Sequence, residues 1–516
     1  VDVDQMYGIE IEEWPARIAE VAMWLIDHQM NERVGEVFGS PVLRLPLKKS
    51  ARIVVGNALR IDWNEVLPAA RCSYVMGNPP FVGKKEQNAA QKADMALIWQ
   101  GVEGSGTFDY VTCWYRRASM YTKGREITAA FVSTNSICQG EQVGLFWKHM
   151  FAEKIEIQFA HKTFGWMSEA KGKAHVHVVI IGFRRNAQPP RVLHEYDAKG
   201  KATTRTVRSI NPYLVEGDNI VVLRADKPIS QGAPIMTKGS EVTDNGHLLL
   251  SSAERAQLLK DCPGMVKFVR RFTGGEEFLN GLSRYCLWLR DASPRVLRSC
   301  KEVRLRLEAV RDFRRSSRKQ RTRGLADTPY LFGEDRQPET RYLLVPKISS
   351  ERRHYIPIGF LPPSFIASGS ALVVPGASYF DFGMLSSEMH MAWVRYVCGR
   401  LEMRYQYSVN IVYNNFPWPR KPTAKQKAAV ETAARHVLEV RKSFKGYTLA
   451  ELYDPLSMPK PLREAHKRLD RAVDRCYRST PFNGERSRVE FLFDLYQQLT
   501  APLLPTEKGR RRGKRV

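Results

Sequence analysis

The amino-terminal third of the chain predicts an α/β fold, because strand-like and helix-like segments alternate there. Short apolar runs rich in β-branched residues separate segments in which apolar residues recur every three or four positions. Strands that alternate with helices form a layered sheet with crossover connections. We predict strands at 6–12, 51–59, 73–80, 126–134, 154–161 and 174–183, helices at 13–30, 108–123 and 140–152, and a loop at 83–107.

The remaining sequence divides into two further regions. Residues 187–420 are rich in Arg, Tyr, Pro and Gly and contain short mixed elements, which predicts a separate α/β domain. Residues 421–516 begin with two segments of helical periodicity and end in the basic sequence KGRRRGKRV. We therefore predict domains at 1–186, 187–420 and 421–516, the last a helical region with a disordered basic tail.

Charge is the outstanding property of the composition. Lys and Arg number 80 against 54 Asp and Glu, which gives a formal net charge of +26. Such an excess indicates a polyanionic partner, with nucleic acid as the first candidate. The densest basic segment is 304–323, where Arg304, Arg311, Arg314, Arg315, Arg318 and Lys319 are candidate DNA-binding residues.

Eight scattered cysteines form no C-x-x-C pair, so we predict neither a zinc site nor a disulfide framework. Reduced cysteines are typical of a cytoplasmic protein. No apolar run approaches the length of a membrane span, and we expect no membrane partner.

The sequence GNPPF at 77–81 predicts a site that orients an amine. Two prolines fix the backbone and remove two donors, so the Asn78 side chain and the Pro79 carbonyl are directed outward after the strand. These two oxygens can accept the two hydrogens of an exocyclic amine, while Phe81 stacks on the ring that carries it. The bland alternative is a Pro-Pro turn at a strand end.

GNPPF resembles the catalytic motif of methyltransferases that act on amino groups of DNA bases, in the version typical of adenine. The resemblance implies a Rossmann-like class I methyltransferase sheet, S-adenosylmethionine as cofactor, and catalytic roles for Asn78, Pro79, Pro80 and Phe81. It also implies cofactor contacts, from Glu10 at the end of the second strand of that fold, from Asn57 and Ala58 beside the cofactor adenine, and from Asp109 in the flanking helix. Phe164, with Trp166 as its neighbour, is the implied second stacking residue for the target base. The methylation chemistry of this family requires no metal.

The segment SYFDFGMLSSEMHMAWVRYVCGRLEMRYQYSVNIVYNNFPWP, at 378–419, resembles the end of the target-recognition domain in MmeI-like single-chain restriction–modification enzymes. The order of motifs also agrees, and the resemblance covers nearly the whole chain. The glycine-rich first motif and the nuclease of that family are not found in this sequence. We therefore expect the carboxyl-terminal part of a longer enzyme, with a sheet that is incomplete at its amino end and with an upstream segment or partner subunit.

Simpler interpretations accompany each of these residues. Glu10 is also consistent with an ordinary exposed acid, Phe164 with core packing, and Lys84 and Lys85 with a solvated loop. Arg341, Arg352, Arg353 and Asn414 are candidates for base reading that the sequence does not rank. We expect Phe416 and Trp418 to be packed at a strand end.

Three functions remain open from the sequence. The first is a site-specific adenine methyltransferase acting on double-stranded DNA in restriction–modification or phage defence. The second is the same chemistry on RNA adenine or on a glutamine side chain. The third is a truncated or split DNA-binding subunit without activity of its own. The large Arg-rich second domain favours the first.

Overall fold

The protein divides into two compact units, which a computed structural model describes over residues 2–39, 50–166, 176–197 and 199–501. Unit 1 contains residues 1–138 and 142–221, and unit 2 contains 139–141 and 222–516. The predicted tail at 508–516 and residues 167–175 of the hairpin that contains Phe164 lie outside the described residues.

Unit 1 has the predicted α/β architecture. Its strands are β1 Tyr7–Glu10, β2 Arg52–Val55, β3 Tyr74–Gly77, β4 Thr128–Thr134, β5 Ile155–Trp166, β6 Val176–Arg185, β7 Arg191–Tyr196 and β8 Ala202–Val207. Its helices are α1 Glu13–Phe38, α2 Trp63–Val66, α3 Ala89–Ile98, α4 Thr112–Tyr121 and α5 Glu141–Ala152.

Two separate sheets share this unit. Six strands form a sheet in the order β3-β4-β6-β5-β7-β8, while β1 and β2 form a parallel pair. β3 is parallel to β4, so Asn78 follows the carboxyl end of an edge strand. Because β7 and β8 belong to the same sheet, the sheet continues past the boundary that we predicted at residue 186.

The predicted loop at 83–107 is wrong over its middle part, which forms α3. Asn88 caps this helix, since its Oδ1 accepts from Gln91 N (2.9 Å). In turn, Gln91 Oε1 accepts from Asn88 N (3.0 Å). Its buried face carries Asp94 with Met95 and Ile98. A buried carboxylate on that face interrupted the apolar period, which is why the helix was not recognised.

Both edges of each sheet in unit 1 are unpaired among the described strands. β3 exposes Tyr74 (73%) and Met76 (80%). The 26-residue helix α1 buries only Ala16, while its large apolar side chains stay exposed, among them Trp14, Ile18, Val21, Leu25, Ile26, Met30, Val37 and Phe38. An apolar helix face and an open strand edge of this size are typical of an interface.

Unit 2 contains the predicted second α/β region and the carboxyl-terminal helices. Its strands are β9 Thr237–Lys238, β10 Leu249–Leu250, β11 Val269–Thr273, β12 Tyr285–Leu287, β13 Tyr342–Pro346, β14 Ile348–Ser349, β15 Gly359–Leu361, β16 Phe365–Ala367, β17 Ala371–Pro375, β18 Gly399–Leu401 and β19 Arg404–Gln406. Its helices are α6 Ser252–Asp261, α7 Gly275–Asn280, α8 Pro294–Ser299, α9 Lys301–Arg315, α10 Gln320–Arg323, α11 Tyr379–Leu385, α12 Glu388–Val397, α13 Ala424–Ser443, α14 Leu449–Leu452, α15 Lys460–Tyr477 and α16 Glu485–Thr500.

Three small sheets organise the first part of this unit, in the orders β10-β12-β11-β16, β15-β13-β17-β9 and β14-β19-β18. Helix α9 packs on the first sheet through Val303, Leu307 and Val310, whose spacing places them on one face. The long helices predicted after residue 421 are confirmed as α13 and α15. Helix α13 buries Val430, Ala434 and Val437, and helix α15 buries Leu462 and Leu469.

The expectation that every cysteine is reduced is wrong for Cys262 and Cys300, which are bonded with Cα atoms 6.0 Å apart. They lie 38 residues apart at the end of α6 and the start of α9, and the fold of unit 2 brings them together without any sequence motif. The other six cysteines, all in the described part of the chain, form no disulfide bond. In the described part of the chain, no helix is long and apolar enough to cross a membrane.

Candidate active site and nucleic-acid interface

The GNPPF residues lie at the carboxyl end of β3, as predicted. Asn78 is exposed and makes no hydrogen bond to another described residue, whereas the Pro79 ring is buried and Phe81 is half-buried. The buried proline anchors the corner, and the proline geometry holds Asn78 in extended backbone. The side-chain amide is therefore available at a rigid, accessible position.

The loop that follows Phe81 is fastened to the start of α4. Tyr110 N donates to Val82 O (3.0 Å), and Gln87 Nε2 donates to Phe108 O (3.1 Å). The Asp109 carboxylate accepts from the backbone N–H of Lys84, from Ser136 Oγ and from Gln142 Nε2. Burial raises the pKa of Asp109 although these donors favour its charged form.

Glu10 lies where β1 ends, beside the end of the parallel strand β2. Its Oε1 accepts from Ile11 N (2.8 Å), which holds the side chain at the strand end. The neighbouring chain turns at Gly56, with φ 154°, where an added Cβ would lie 2.6 Å from Ile61 Cδ1. This turn directs Asn57 and Ala58 to the same edge as Glu10.

The Asn57 side chain is engaged within the protein. Its Oδ1 accepts from Leu59 N (2.9 Å), and its Nδ2 donates to Asp94 Oδ2 (3.1 Å). Asp94 also accepts from Arg60 Nε (2.8 Å) and Tyr110 Oη (2.7 Å). Burial alone would raise the pKa of Asp94, but these hydrogen bonds outweigh it and hold the pKa below its usual value.

Phe164 lies near the end of β5 in an aromatic stack. One face of its ring packs on Tyr196, with centroids 4.8 Å apart, and Trp166 is 6.2 Å away. Tyr196 Oη bonds to His161 Nδ1 (2.7 Å), which fixes the ring behind Phe164. Thr163 Oγ1 donates to Asn135 Oδ1 (3.0 Å), which joins this strand to the carboxyl end of β4.

The predicted DNA-binding residues of 304–323 fall into two groups. Arg304, Arg311, Arg315, Arg318 and Lys319 are exposed or half-buried, and no described carboxylate pairs with them. Spacings of seven and four residues put Arg304, Arg311 and Arg315 on one face of α9. This face, called the α9 basic face below, lies beside the apolar face that packs on the sheet, about a quarter of a turn around the helix.

Arg314 does not belong to that face, and its assignment as a DNA-binding residue is corrected. Its side chain is fully buried in unit 2. The guanidinium donates to five carbonyl oxygens at 2.7–3.1 Å, those of Val242, Thr243, Leu325, Thr328 and Leu331. With all its donors used inside, Arg314 has a structural role.

A cleft of about 680 Å³ within unit 2 brings together basic residues that the sequence did not suggest. Its lining includes Arg224, Lys238, Arg336 and Lys347, with Gln406 among the polar groups. Three of the four cations pair with carboxylates, whereas Lys347 has no described carboxylate partner. The four basic residues are dispersed along the sequence and belong to no charged run, so only the fold reveals them.

Burial shows which of the predicted residues in the recognition domain are accessible to DNA bases and which are packed inside. Asn414 is 2% exposed and donates from Nδ2 to Ala225 O (2.8 Å), so it is not available to read a base. Phe416 and Trp418 are buried, which confirms their predicted packing, but they follow a helical turn at Val409–Tyr413 and not a strand end. Arg341 lies over the Phe360 ring at 4.3 Å and remains exposed.

Family models cover the chain almost from end to end. The MmeI DNA-methyltransferase domain matches residues 1–195, the MmeI target recognition domain matches 216–420, and the MmeI C-terminal domain matches 422–504.

Two similar proteins extend this finding. DNA methyltransferase A of Bacillus subtilis (strain 168) is 38% identical over 504 residues, which cover 97% of this chain and 56% of that protein. A solved structure of the Type IIL restriction-modification enzyme MmeI in complex with DNA is 44% identical, with a TM-score of 0.85, and covers 97% of this chain and 67% of that one. The chain thus belongs to the MmeI family of restriction–modification DNA methyltransferases and contains its methyltransferase, target recognition and C-terminal domains.

Proposed function

We propose that this protein transfers a methyl group from S-adenosylmethionine to the amino group of adenine at a specific site in double-stranded DNA. The observation that carries the proposal is the exposed Asn78 amide, held by a buried proline at the carboxyl end of β3. It lies in a domain that matches a DNA-methyltransferase model and precedes a target recognition domain.

The reaction needs an amine whose lone pair faces an electrophile. Asn78 Oδ1 and the Pro79 carbonyl oxygen accept the two amine hydrogens, which draws the lone pair out of conjugation with the ring. Phe81 stacks on one face of the adenine, and Phe164 supports the other face of the base. Orientation of this kind replaces a charged base, because proximity alone supplies much of the rate. The amine then loses a proton to solvent.

S-adenosylmethionine supplies an activated methyl group on its sulfonium when it is bound. Glu10 fits a cofactor role, since its carboxylate is held at a strand end where it can accept from ribose hydroxyls. Asn57 and Ala58 fit a position beside the cofactor through their loop, although the Asn57 side chain is used internally. Two protein donors, Ser136 Oγ and Gln142 Nε2, occupy Asp109 Oδ2, which favours a supporting role for this carboxylate over direct contact with the cofactor.

An adenine in a duplex must leave the base stack to reach Asn78, which costs a few kcal/mol. Contacts between basic side chains and phosphates offset this cost and set the register of the protein on DNA. We assign phosphate contacts to the α9 basic face with Arg318 and Lys319, and both phosphate and base contacts to the cleft that contains Lys347 and Gln406. The similar MmeI structure is a complex with DNA, which supports DNA as the substrate.

Neutralising the α9 basic face should weaken DNA binding and its salt dependence together. Changing Arg304, Arg311 and Arg315 to Gln removes three positive charges without altering the buried face of the helix. Each lost phosphate contact should lower the slope of log K against log salt by about 0.9. Fluorescence anisotropy of a labelled duplex over a salt series measures this slope.

A matched control removes three charges from another exposed helix face. Arg468, Arg471 and Arg475 lie on α15 with spacings of three and four residues and are exposed. Their change to Gln lowers the net charge equally. An equal loss of slope in both triple variants would show that total charge, rather than the α9 basic face, governs binding.

We infer that further polypeptide of a longer enzyme, or a partner subunit, covers the β3 edge and α1. An exposed apolar surface is formed by Tyr74, Met76 and the apolar side chains of α1, and large exposed apolar surfaces are typical of interfaces. The similar proteins also contain sequence that this chain does not span. Amide exchange at β3 and α1 should slow when the non-aligned part of the Bacillus subtilis relative is expressed with this chain, and unchanged exchange would contradict this assignment.

Modification-sensitive sequencing of DNA from cells that express this chain tests the proposed reaction directly. Methyladenine at one recurring sequence would establish both reaction and specificity. Methylation of RNA alone would favour the second candidate substrate. A folded chain that binds DNA but leaves no methyladenine, even together with the non-aligned part of its relative, would overturn the proposed activity.

A further inference from the structure

Two consecutive residues, Asp109 and Tyr110, contact the loops that follow β3 and β4 directly and reach the loop after β2 through Asp94. The Asp109 carboxylate accepts from Lys84 N in the loop after β3 and from Ser136 Oγ after β4. Tyr110 N donates to Val82 O (3.0 Å), only one residue beyond Phe81. The loop that carries the amine-orienting residues is thus fixed by this dipeptide.

The Tyr110 side chain extends the connection to the loop after β2. Its Oη donates to Asp94 Oδ2 (2.7 Å). The same carboxylate accepts from Asn57 Nδ2 (3.1 Å) and Arg60 Nε (2.8 Å). Asp94 is 2% exposed and Tyr110 is 6% exposed, so water does not compete well for these bonds.

This connection bridges two parts of unit 1 that share no strand pairing. Among the described strands, the β1–β2 pair, whose carboxyl ends lead to Glu10 and Asn57, has no strand pairing with the six-stranded sheet, whose edge strand β3 leads to Asn78. A continuous path of hydrogen bonds runs from Asn57 through Asp94 and Tyr110 to Val82. Because no strand pairing sets the separation of these loops, hydrogen bonds between side chains set it.

We propose that Asp94, Asp109 and Tyr110 form a hub of positioning residues that holds the cofactor-side loop, with Asn57, in register with the amine-side loop, with Asn78. This inference rests on the proposed function for its catalytic consequence, but the coupling of the two loops is independent of it. The three residues touch neither the amine nor the methyl group. They set the distance over which the methyl group is transferred.

The variant Tyr110→Phe removes one hydroxyl and keeps the ring. We expect the rate constant for methylation to fall about 10- to 100-fold, since small displacements of reacting groups have effects of this size. The KM for S-adenosylmethionine should rise as the Asn57 loop loosens, whereas affinity for duplex DNA should stay unchanged.

Amide hydrogen exchange measured by mass spectrometry supplies a readout that needs no activity. In Tyr110→Phe, exchange should accelerate both at residues 57–61 and at residues 82–86. In Asp109→Ala it should accelerate at 82–86, and Asp109→Asn should restore part of the protection because the amide oxygen can still accept from Lys84 N. Acceleration of only one loop in Tyr110→Phe would overturn the coupling.

Tyr355→Phe is the matched control. Tyr355 is a buried tyrosine of unit 2 whose Oη donates to the buried carboxylate Asp470 at the same distance, 2.7 Å. It should lower stability similarly without changing the methylation rate or exchange at 57–61 and 82–86. Equal rate losses in both variants would show a general stability effect and reject the hub. If the wild-type chain does not methylate even together with the non-aligned part of its relative, the proposed function fails while the exchange data still decide the coupling.

Discussion

Replacement of Asn78 by alanine is expected to lower the rate of adenine methylation by about 10³-fold or more, because the amine loses its orienting acceptor. Affinity for duplex DNA should remain within about twofold, since phosphate contacts supply most of it. The fold should also persist, because Asn78 is exposed and bonds to no other described residue. Single-turnover methylation with labelled S-adenosylmethionine and anisotropy of a labelled duplex measure the two quantities.

Asn78→Asp separates loss of the acceptor from loss of the side chain. A carboxylate has nearly the same shape and keeps an oxygen toward the amine, so this variant should retain measurable activity well above that of Asn78→Ala. Wild-type rates in Asn78→Ala would remove Asn78 from the site. A large loss of DNA affinity in that variant would instead make Asn78 a binding residue.

Local motifs and periodic segments were the parts of this protein that its sequence predicted well. GNPPF fixes its own geometry through two prolines, so its position after a strand follows from a few residues. Most helices and strands of unit 1 follow from apolar spacing of 3.6 or 2. The sequence pattern did not predict helix α3, because Asp94 lies on its buried face, where an apolar residue is expected.

Features that depend on contacts between distant segments were not predictable in this way. Counting charges in 304–323 does not distinguish Arg314 from Arg315. The spacing of 303, 307, 310 and 314 places Arg314 on the apolar face of α9, but the five carbonyls that accept from it belong to segments outside the helix. The basic cleft and the Cys262–Cys300 bond join residues with no shared motif. The hub of Asp94, Asp109 and Tyr110 likewise depends on hydrogen bonds that join α3 to the loops after β2, β3 and β4.

Replacement of Arg314 by methionine should destabilise unit 2 by about 3–5 kcal/mol, although a surface arginine would be expected to tolerate the change. Five carbonyl oxygens lose a donor, and those of Thr243 and Leu331 have no other described donor. Each buried carbonyl left unpaired costs about 1–3 kcal/mol. Native-state hydrogen exchange of peptides from 240–335 measures the local free energy of unfolding.

Arg315→Met is the control one position along the same helix. This side chain is exposed and has no described carboxylate partner, so stability should change by no more than about 0.5 kcal/mol, while DNA affinity should fall with the loss of a phosphate contact. The two variants should therefore have opposite phenotypes. Arg314→Met should lose stability, whereas Arg315→Met should lose DNA affinity with its fold intact. If instead Arg314→Met kept full stability and lost DNA binding, the guanidinium would have to leave its five carbonyls and face solvent, and the packing of α9 described above would be wrong. Adjacent arginines with opposite phenotypes would show that the basic composition of this helix serves two separate purposes, one inside the domain and one on the surface that faces DNA.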